Sequence, residues 1–149
     1  MKIKAFLDTN VLMDILQEGR PNTAFSRVIF QAVWNREIEA VLTTQSIIDA
    51  SYIAQKAGIR QAFFDTVNKC CDHINIDQIN SFDLRFACQH YNGDFEDDSL
   101  YYRALDTYCD VFITSDKELI RRYDGKNKNL RIMSPEAFVE KMTCHQSEG

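Results

Sequence analysis

Apolar positions along the chain fall into short blocks, alternating with longer stretches of helical spacing. Ile3 to Leu7 is an apolar run that stops at Asp8, the pattern of a short buried strand. Val11, Leu12, Ile15 and Leu16 then recur three and four residues apart, and Gly19-Arg20-Pro21 ends the helix they predict. Residues 22–36 place Ala24, Val28, Ile29, Ala32 and Val33 on one helical face. Glu39 to Thr43 predicts a second strand, and Thr44 caps a helix that runs to about Lys56 and closes at Gly58. A helix from Arg60 to about Cys71 leads into a third strand, His73 to Ile76. Ser81 caps a helix through Tyr91, Asn92-Gly93 marks a turn, and residues 95–108 form a further helix with Leu100, Ala104 and Leu105 inward. Val111 to Thr114 is a fourth strand, halted by Ser115-Asp116, and Arg131 to Met133 a fifth. Ser134-Pro135-Glu136 combines a cap, a proline at the first helical position and an acid, a strong helix start.

Short strands alternating with helices predict an α/β domain: a three-layer α/β/α sandwich with a mainly parallel, about five-stranded sheet. With 149 residues, one domain over 1–143 and a loose tail over 144–149 are expected. Five glycines and two prolines are too few for the many turns of a β-sandwich or barrel. In parallel sheets, ligands bind beyond the carboxyl ends of the strands. That rule draws attention to Asp8 and Asp116, each standing where a strand ends and a helix begins.

Asp49, early on a helix, and Asp97, within Asp94-Phe95-Glu96-Asp97-Asp98, complete a set of four candidate acids. Asp8 and Asp116 could also simply cap the helices that follow them, and Asp98 reads as a solvated residue of a helix start. Carboxylates gathered in one pocket repel one another, and the usual resolution is a bound cation. Oxygen-only ligands select a hard ion such as Mg²⁺ or Mn²⁺.

Four segments carry a resemblance to the PIN-domain family: Phe6-Leu7-Asp8-Thr9-Asn10-Val11-Leu12, Thr44 to Asp49, Asp94-Phe95-Glu96-Asp97, and Val111-Phe112-Ile113-Thr114-Ser115-Asp116. The resemblance extends from Ile3 to about Met142 and implies a metal-dependent ribonuclease. It implies further that such a protein is the VapC-like toxin of a toxin–antitoxin pair, neutralised by an antitoxin and forming a homodimer. It places catalytic acids at Asp8, Asp49, Asp97 and Asp116, with Asp8, Asp97 and Asp116 as metal ligands. Asn10 and Thr114 match polar positions that would orient a carboxylate or a metal-bound water. The family's second acid is more often Glu; here it is Asp49, one methylene shorter. The run Glu96-Asp97-Asp98 leaves Asp97 and Asp98 as alternatives for the third acid, and the motif favours Asp97.

The net charge of −5 and a pI near 5.1 oppose nucleic-acid binding unless basic residues are gathered in one place. Residues 117–131 provide such a place, with six Lys or Arg against two acids directly after Asp116. Arg121, Arg122, Lys126 and Lys128 are therefore candidates for RNA phosphates, with a solvated loop as the alternative. None of the three histidines has a partner pattern for general-base work, and no Gly-rich phosphate loop occurs. Five cysteines without a C-x-x-C argue against a zinc ribbon or a disulfide framework. The opening MKIKAFLD does not have the form of a signal peptide, and no run of ~18 apolar residues predicts a membrane span. A cytoplasmic protein is expected. The competing function is a non-catalytic PIN-like module binding RNA or protein. A phosphorelay receiver is disfavoured, because no paired acids follow the first strand.

Overall fold

The structure, a computed structural model, describes residues 2–147, with side chains through residue 144. Its strands are β1 (Lys4–Leu7), β2 (Glu39–Thr43), β3 (Asn75–Asp77), β4 (Val111–Ile113) and β5 (Arg131–Met133). The helices are α1 (Thr9–Leu16), α2 (Thr23–Trp34), α3 (Thr44–Ala57), α4 (Arg60–His73), α5 (Ser81–Gln89), α6 (Phe95–Asp106), α7 (Lys117–Tyr123) and α8 (Pro135–Ser147). All five strands are parallel, in the order β3-β2-β1-β4-β5. The expected α/β/α sandwich is the architecture found.

Strand alternation sorts the core into two layers, because successive side chains point to opposite faces. Ala5 and Leu7 of β1, Leu42 of β2 and Ile113 of β4 join side chains of α1, α2, α3, α4 and α8 on one face. Phe6, Val41, Phe112 and Ile132 point the other way and pack under α6 and α7, with Leu100, Ala104, Leu119 and Tyr123. Phe6 and Phe112, neighbours across β1 and β4, lie with ring centroids 4.9 Å apart.

The topology places the site. The chain moves outward from β1 to β2 to β3, then returns to lay β4 on the other side of β1. Between β1 and β4 the connections therefore diverge, and the carboxyl ends of such a pair open into a crevice. Asp8 follows β1 and Asp116 follows β4. The ends of β1 and β4 are pinned together by the Asp8 amide, which donates to the Ile113 carbonyl at 3.1 Å, and the end of β4 is held to β5 by the Thr114 amide, which donates to the Met133 carbonyl at 3.0 Å.

Several boundaries differ from the sequence expectation. Thr43, not Thr44, caps α3, its hydroxyl accepting from the Ser46 amide. Asn80, not Ser81, caps α5, in a reciprocal box with Asp83. Residues 117–123, expected as part of a basic loop, form α7. Its Leu119 and Tyr123, four apart, bury one face, and the charges that dominate its composition lie on the others. Helix α8 continues through Cys144 to Ser147, into the stretch expected as a loose tail, and residues 148–149 lie outside the described residues.

Candidate active site

Asp8 leaves β1 in extended conformation and caps α1, with Oδ1 accepting from the Thr9 amide at 2.8 Å. Its Oδ2 accepts from the Thr114 hydroxyl at 2.7 Å and the Asn10 amide at 2.8 Å. The side chain is thus rigidly held and 8% exposed, yet every donor it meets is neutral. Burial pushes its carboxyl above the usual range and the charge of Asp116 adds to this, against the pull of its hydrogen bonds.

Asp116 is the N-cap of α7, with Oδ1 accepting from the amides of Glu118 and Leu119. Thr114 ties the two acids together. Its buried hydroxyl donates to Asp8 and accepts the Asp116 amide at 3.0 Å. Asn10 bridges the same gap, donating to Asp8 while its carbonyl accepts the Ser115 amide at 3.2 Å. Both residues therefore orient carboxylates. Capping and gathering acids are not alternatives here: the caps fix the acids in place.

Asp97 and Asp98 point to different surroundings as helix geometry requires, successive residues lying about 100° apart. Asp97 faces the other acids. Its carboxyl is pushed up to about 7, by burial first and then by the charges of Asp94, Asp8 and Asp116, while Arg122 pulls the other way. The Arg122 guanidinium reaches Asp97 Oδ2 at 2.8 Å. Asp98 turns inward. The expectation of a solvated residue is corrected: it is fully buried, accepting from the Asn92 amide at 2.8 Å and from the Tyr123 hydroxyl. An acid that reads as surface charge is thus a core anchor joining α6 to α7.

Asp49 lies on α3, half-buried and held by Gln45 at 3.1 Å. It meets the cluster through Glu96, which sequence reasoning passed over. Glu96 is raised by partial burial, then by the charge and a hydrogen bond of Asp49, then by the charges of Asp8 and Asp94. The signal was present: Glu96 precedes the motif acid on the first turn of α6. A five-acid group, Asp8, Asp49, Glu96, Asp97 and Asp116, thus lines the end of the sheet, with Arg122 as a cation within it.

This donor set suits a hard divalent cation: all oxygen, held on rigid helix starts, with a surplus of negative charge. Among the described residues no ready-made three-residue cage is formed. His73 contacts the Lys69 carbonyl and the Trp34 ring, and His90 lies against Phe86, so neither serves the acids. The side chain of His145 lies outside the described ones.

The basic stretch lies alongside. Arg121, Arg122 and Lys126 line a concavity of about 630 Å³ with Tyr91, Asn92 and Gly93. Arg121 also pairs with Glu118 at 2.6 Å, and Lys126 sits over the Tyr123 ring. Lys128 is exposed and is not part of this lining.

Residues 4–118 match the model of the PIN domain family. The chain belongs to the PIN domain family. Among curated proteins, none matches the sequence. Solved structures with the same fold include a toxin–antitoxin complex from Klebsiella pneumoniae, at 17% identity and a TM-score of 0.61, covering 85% of this chain and 94% of that one. PAE2754 from Pyrobaculum aerophilum aligns at 16% identity and a TM-score of 0.64, covering 95% and 90%. VapC20 of Mycobacterium tuberculosis, described as a sarcin–ricin loop cleaving toxin, aligns at 10% identity and a TM-score of 0.60, covering 77% and 92%. The family model spans both acids at the sheet switch point and ends just beyond Asp116. Of the candidates, this PIN domain brings Asp8, Asp97 and Asp116 to one place and reaches Asp49 through Glu96. Among the described residues, no helix is long and apolar enough to cross a membrane.

Proposed function

We propose that this PIN domain is a metal-dependent endoribonuclease, acting in the cytoplasm as the toxin of a toxin–antitoxin pair. The observation that carries the reading is the gathering of acids at the β1–β4 crevice, where Asp8 is held by neutral donors only and Asp97 faces Asp8 and Asp116 with Arg122 as its one cation. A fold that holds Asp8 with neutral donors alone, and Asp97 with one cation among several acids, spends stability on them, which is the mark of a site built for a cation. Asp8, Asp97 and Asp116 would hold Mg²⁺ or Mn²⁺, with Asp49 and Glu96 at its edge. The bound ion supplies charge neutralisation at the phosphodiester and a water of lowered pKa. Thr114 and Asn10 keep Asp8 and Asp116 in register, and the α7 N-terminus fixes Asp116 toward the crevice. Arg121 and Lys126, with Lys128 further along the same loop, would hold RNA phosphates, supplying affinity without reading sequence.

The partners follow from the neighbours. One is a toxin–antitoxin complex and another a toxin that cleaves the sarcin–ricin loop, which supports an RNA substrate and an antitoxin here. Exposed Ile48 and Tyr52 on α3, and Phe82 and Phe86 on α5, offer apolar surface for an antitoxin or a second copy in a homodimer.

The test is cleavage of single-stranded RNA by the purified protein with Mg²⁺ or Mn²⁺, compared with Asp116→Asn. That variant is clean, because the oxygen that accepts the two α7 amides can be kept as the Asn carbonyl. Cleavage should need the metal, stop in EDTA, and be lost in the variant. Undiminished cleavage in excess chelator would refute the metal mechanism. Metal and RNA binding without cleavage would favour the non-catalytic module.

A further inference from the structure

Consecutive residues of α6 pair with consecutive residues of α7. Asp98 meets Tyr123, and Asp97 meets Arg122. The first contact is core, with Tyr123 2% and Asp98 0% exposed, and the Asn92 amide completes it. The second lies at the rim of the site, where both side chains are 15% exposed and the carboxylate belongs to the acidic cluster. Arg122 also lines the neighbouring cationic concavity with Arg121 and Lys126. The guanidinium thus stands on the border between the acids and the surface suited to RNA. Its capacity is not used up: it has five N–H donors, one reaches Asp97, and its buried Nε has no partner.

We propose that Arg122 is the resident counter-cation of the acidic cluster and a positioning residue for RNA, holding Asp97 until a divalent cation claims that carboxylate and then turning to a backbone phosphate in the adjoining concavity. The inference rests on the function proposed above. Arg122 competes with the metal for one oxygen-bearing group, so the metal pays for displacing it. RNA that draws Arg122 away removes that cost. Metal and RNA binding are then coupled through this one side chain, and the coupling is reciprocal. The Tyr123–Asp98 contact keeps α7 in place while Arg122 moves.

The experiment measures Mn²⁺ affinity calorimetrically for wild type, Arg122→Gln, Arg122→Lys and Tyr123→Phe, without RNA and with a saturating 2′-O-methyl single-stranded oligonucleotide that resists cleavage. Without RNA, Arg122→Gln should bind Mn²⁺ about tenfold tighter than wild type, equivalent to ~1.4 kcal/mol. Arg122→Lys, which keeps a charge but not the fork, should fall between the two, and it decides the matter if the Gln variant does not fold. Tyr123→Phe loosens the same helix contact without freeing Asp97, and should not tighten Mn²⁺ binding. Adding the oligonucleotide should tighten Mn²⁺ binding more in wild type than in Arg122→Gln. Wild-type affinity in both Arg122 variants would overturn the role of Arg122 and leave the metal site standing. Tightening in Tyr123→Phe equal to that in Arg122→Gln would make the effect a general loosening of α7 and overturn it too. Absence of Mn²⁺ binding in every protein would overturn the metal-dependent function and this inference together.

Discussion

Two aspartates six residues apart, both almost fully buried, differ in what answers their charge. Asp14 lies inside α1 and is 2% exposed. Arg20 reaches it at 2.9 Å and Ser26 at 2.7 Å, so its charge is answered and it ties α1 to the loop and helix that follow. Asp8, at the start of the same helix, receives the same number of contacts or more, but all from neutral groups, and its charged neighbours are other acids. On α6 the donors are exchanged but the surroundings are not: Asp98 is sealed in the core by the neutral Asn92 amide and Tyr123 hydroxyl, and Asp97, though paired with Arg122, faces the other acids. Burial alone therefore does not single out the candidate acids here; burial beside other acids does. Even Asp97, which has Arg122, remains raised, by burial first and then by the charges of Asp94, Asp8 and Asp116.

The sharpest way to test this contrast is the adjacent pair on α6. Asp97→Ala should lower RNA cleavage about 10³-fold, the rate equivalent of ~4 kcal/mol, with little loss of stability. Asp98→Ala should do the reverse. Leaving Tyr123 and the Asn92 amide unpaired in the core should cost about 2–3 kcal/mol, with cleavage retained at a temperature where the protein is folded. Single-turnover rates and melting curves on the same preparations would check both, and equal effects on cleavage would erase the distinction.

On α1 the expected effect is next in size. Asp14→Ala strands Arg20 and Ser26 and should destabilise by about 2 kcal/mol, or ~4–8 °C in melting temperature for a chain of this length, without altering metal affinity. A change in metal affinity comparable to that of an Asp8 variant would show that Asp14 communicates with the site.

The architecture was readable because it rests on periodicity. Abrupt apolar runs mark the strands of a sheet buried on both faces, and their ends locate Asp8 and Asp116 without any side-chain detail. What the sequence obscured depended on which way a side chain points. Helix α7 is hard to see because only Leu119 and Tyr123 are buried beside four charged residues, Lys117, Glu118, Arg121 and Arg122. Asp98 reads as surface charge because its partners, Tyr123 and the Asn92 amide, come from other segments. Glu96 was passed over because its link to Asp49 joins α3 to α6, two helices far apart in the chain. The basic stretch was found as composition, but the pairing of Arg122 with Asp97 is a long-range contact that local charge counting does not reveal.

A smaller effect distinguishes the acidic cluster that has a counter-charge from the one that has too little. Asp77 and Asp83 share Arg103, with contacts of 3.3 and 3.4 Å. Asp106 is pushed up to about 6 beside them, first by a hydrogen bond with Asp83, then by partial burial and the Asp83 charge, with Arg103 pulling the other way. A carboxyl raised in the folded state binds its proton more tightly than in the unfolded chain. The stability it contributes is full below about pH 4 and is lost as the pH rises through about 6. Wild type should therefore lose more stability than Asp106→Asn between pH 4 and 7, as read by denaturant unfolding at several pH values. Parallel profiles would remove Asp106 from the linkage.

Whether the acids at the β1–β4 crevice bind a divalent cation is read most directly from the metal-induced shift in unfolding free energy of wild type and Asp116→Asn. The Asn variant keeps the α7 cap and removes one ligand charge. With Mn²⁺ at about 100 times its dissociation constant, wild type should gain ~2.7 kcal/mol. The variant should gain much less at the same concentration, and should be no less stable than wild type without metal. Equal metal-induced stabilisation of the two proteins would contradict the account.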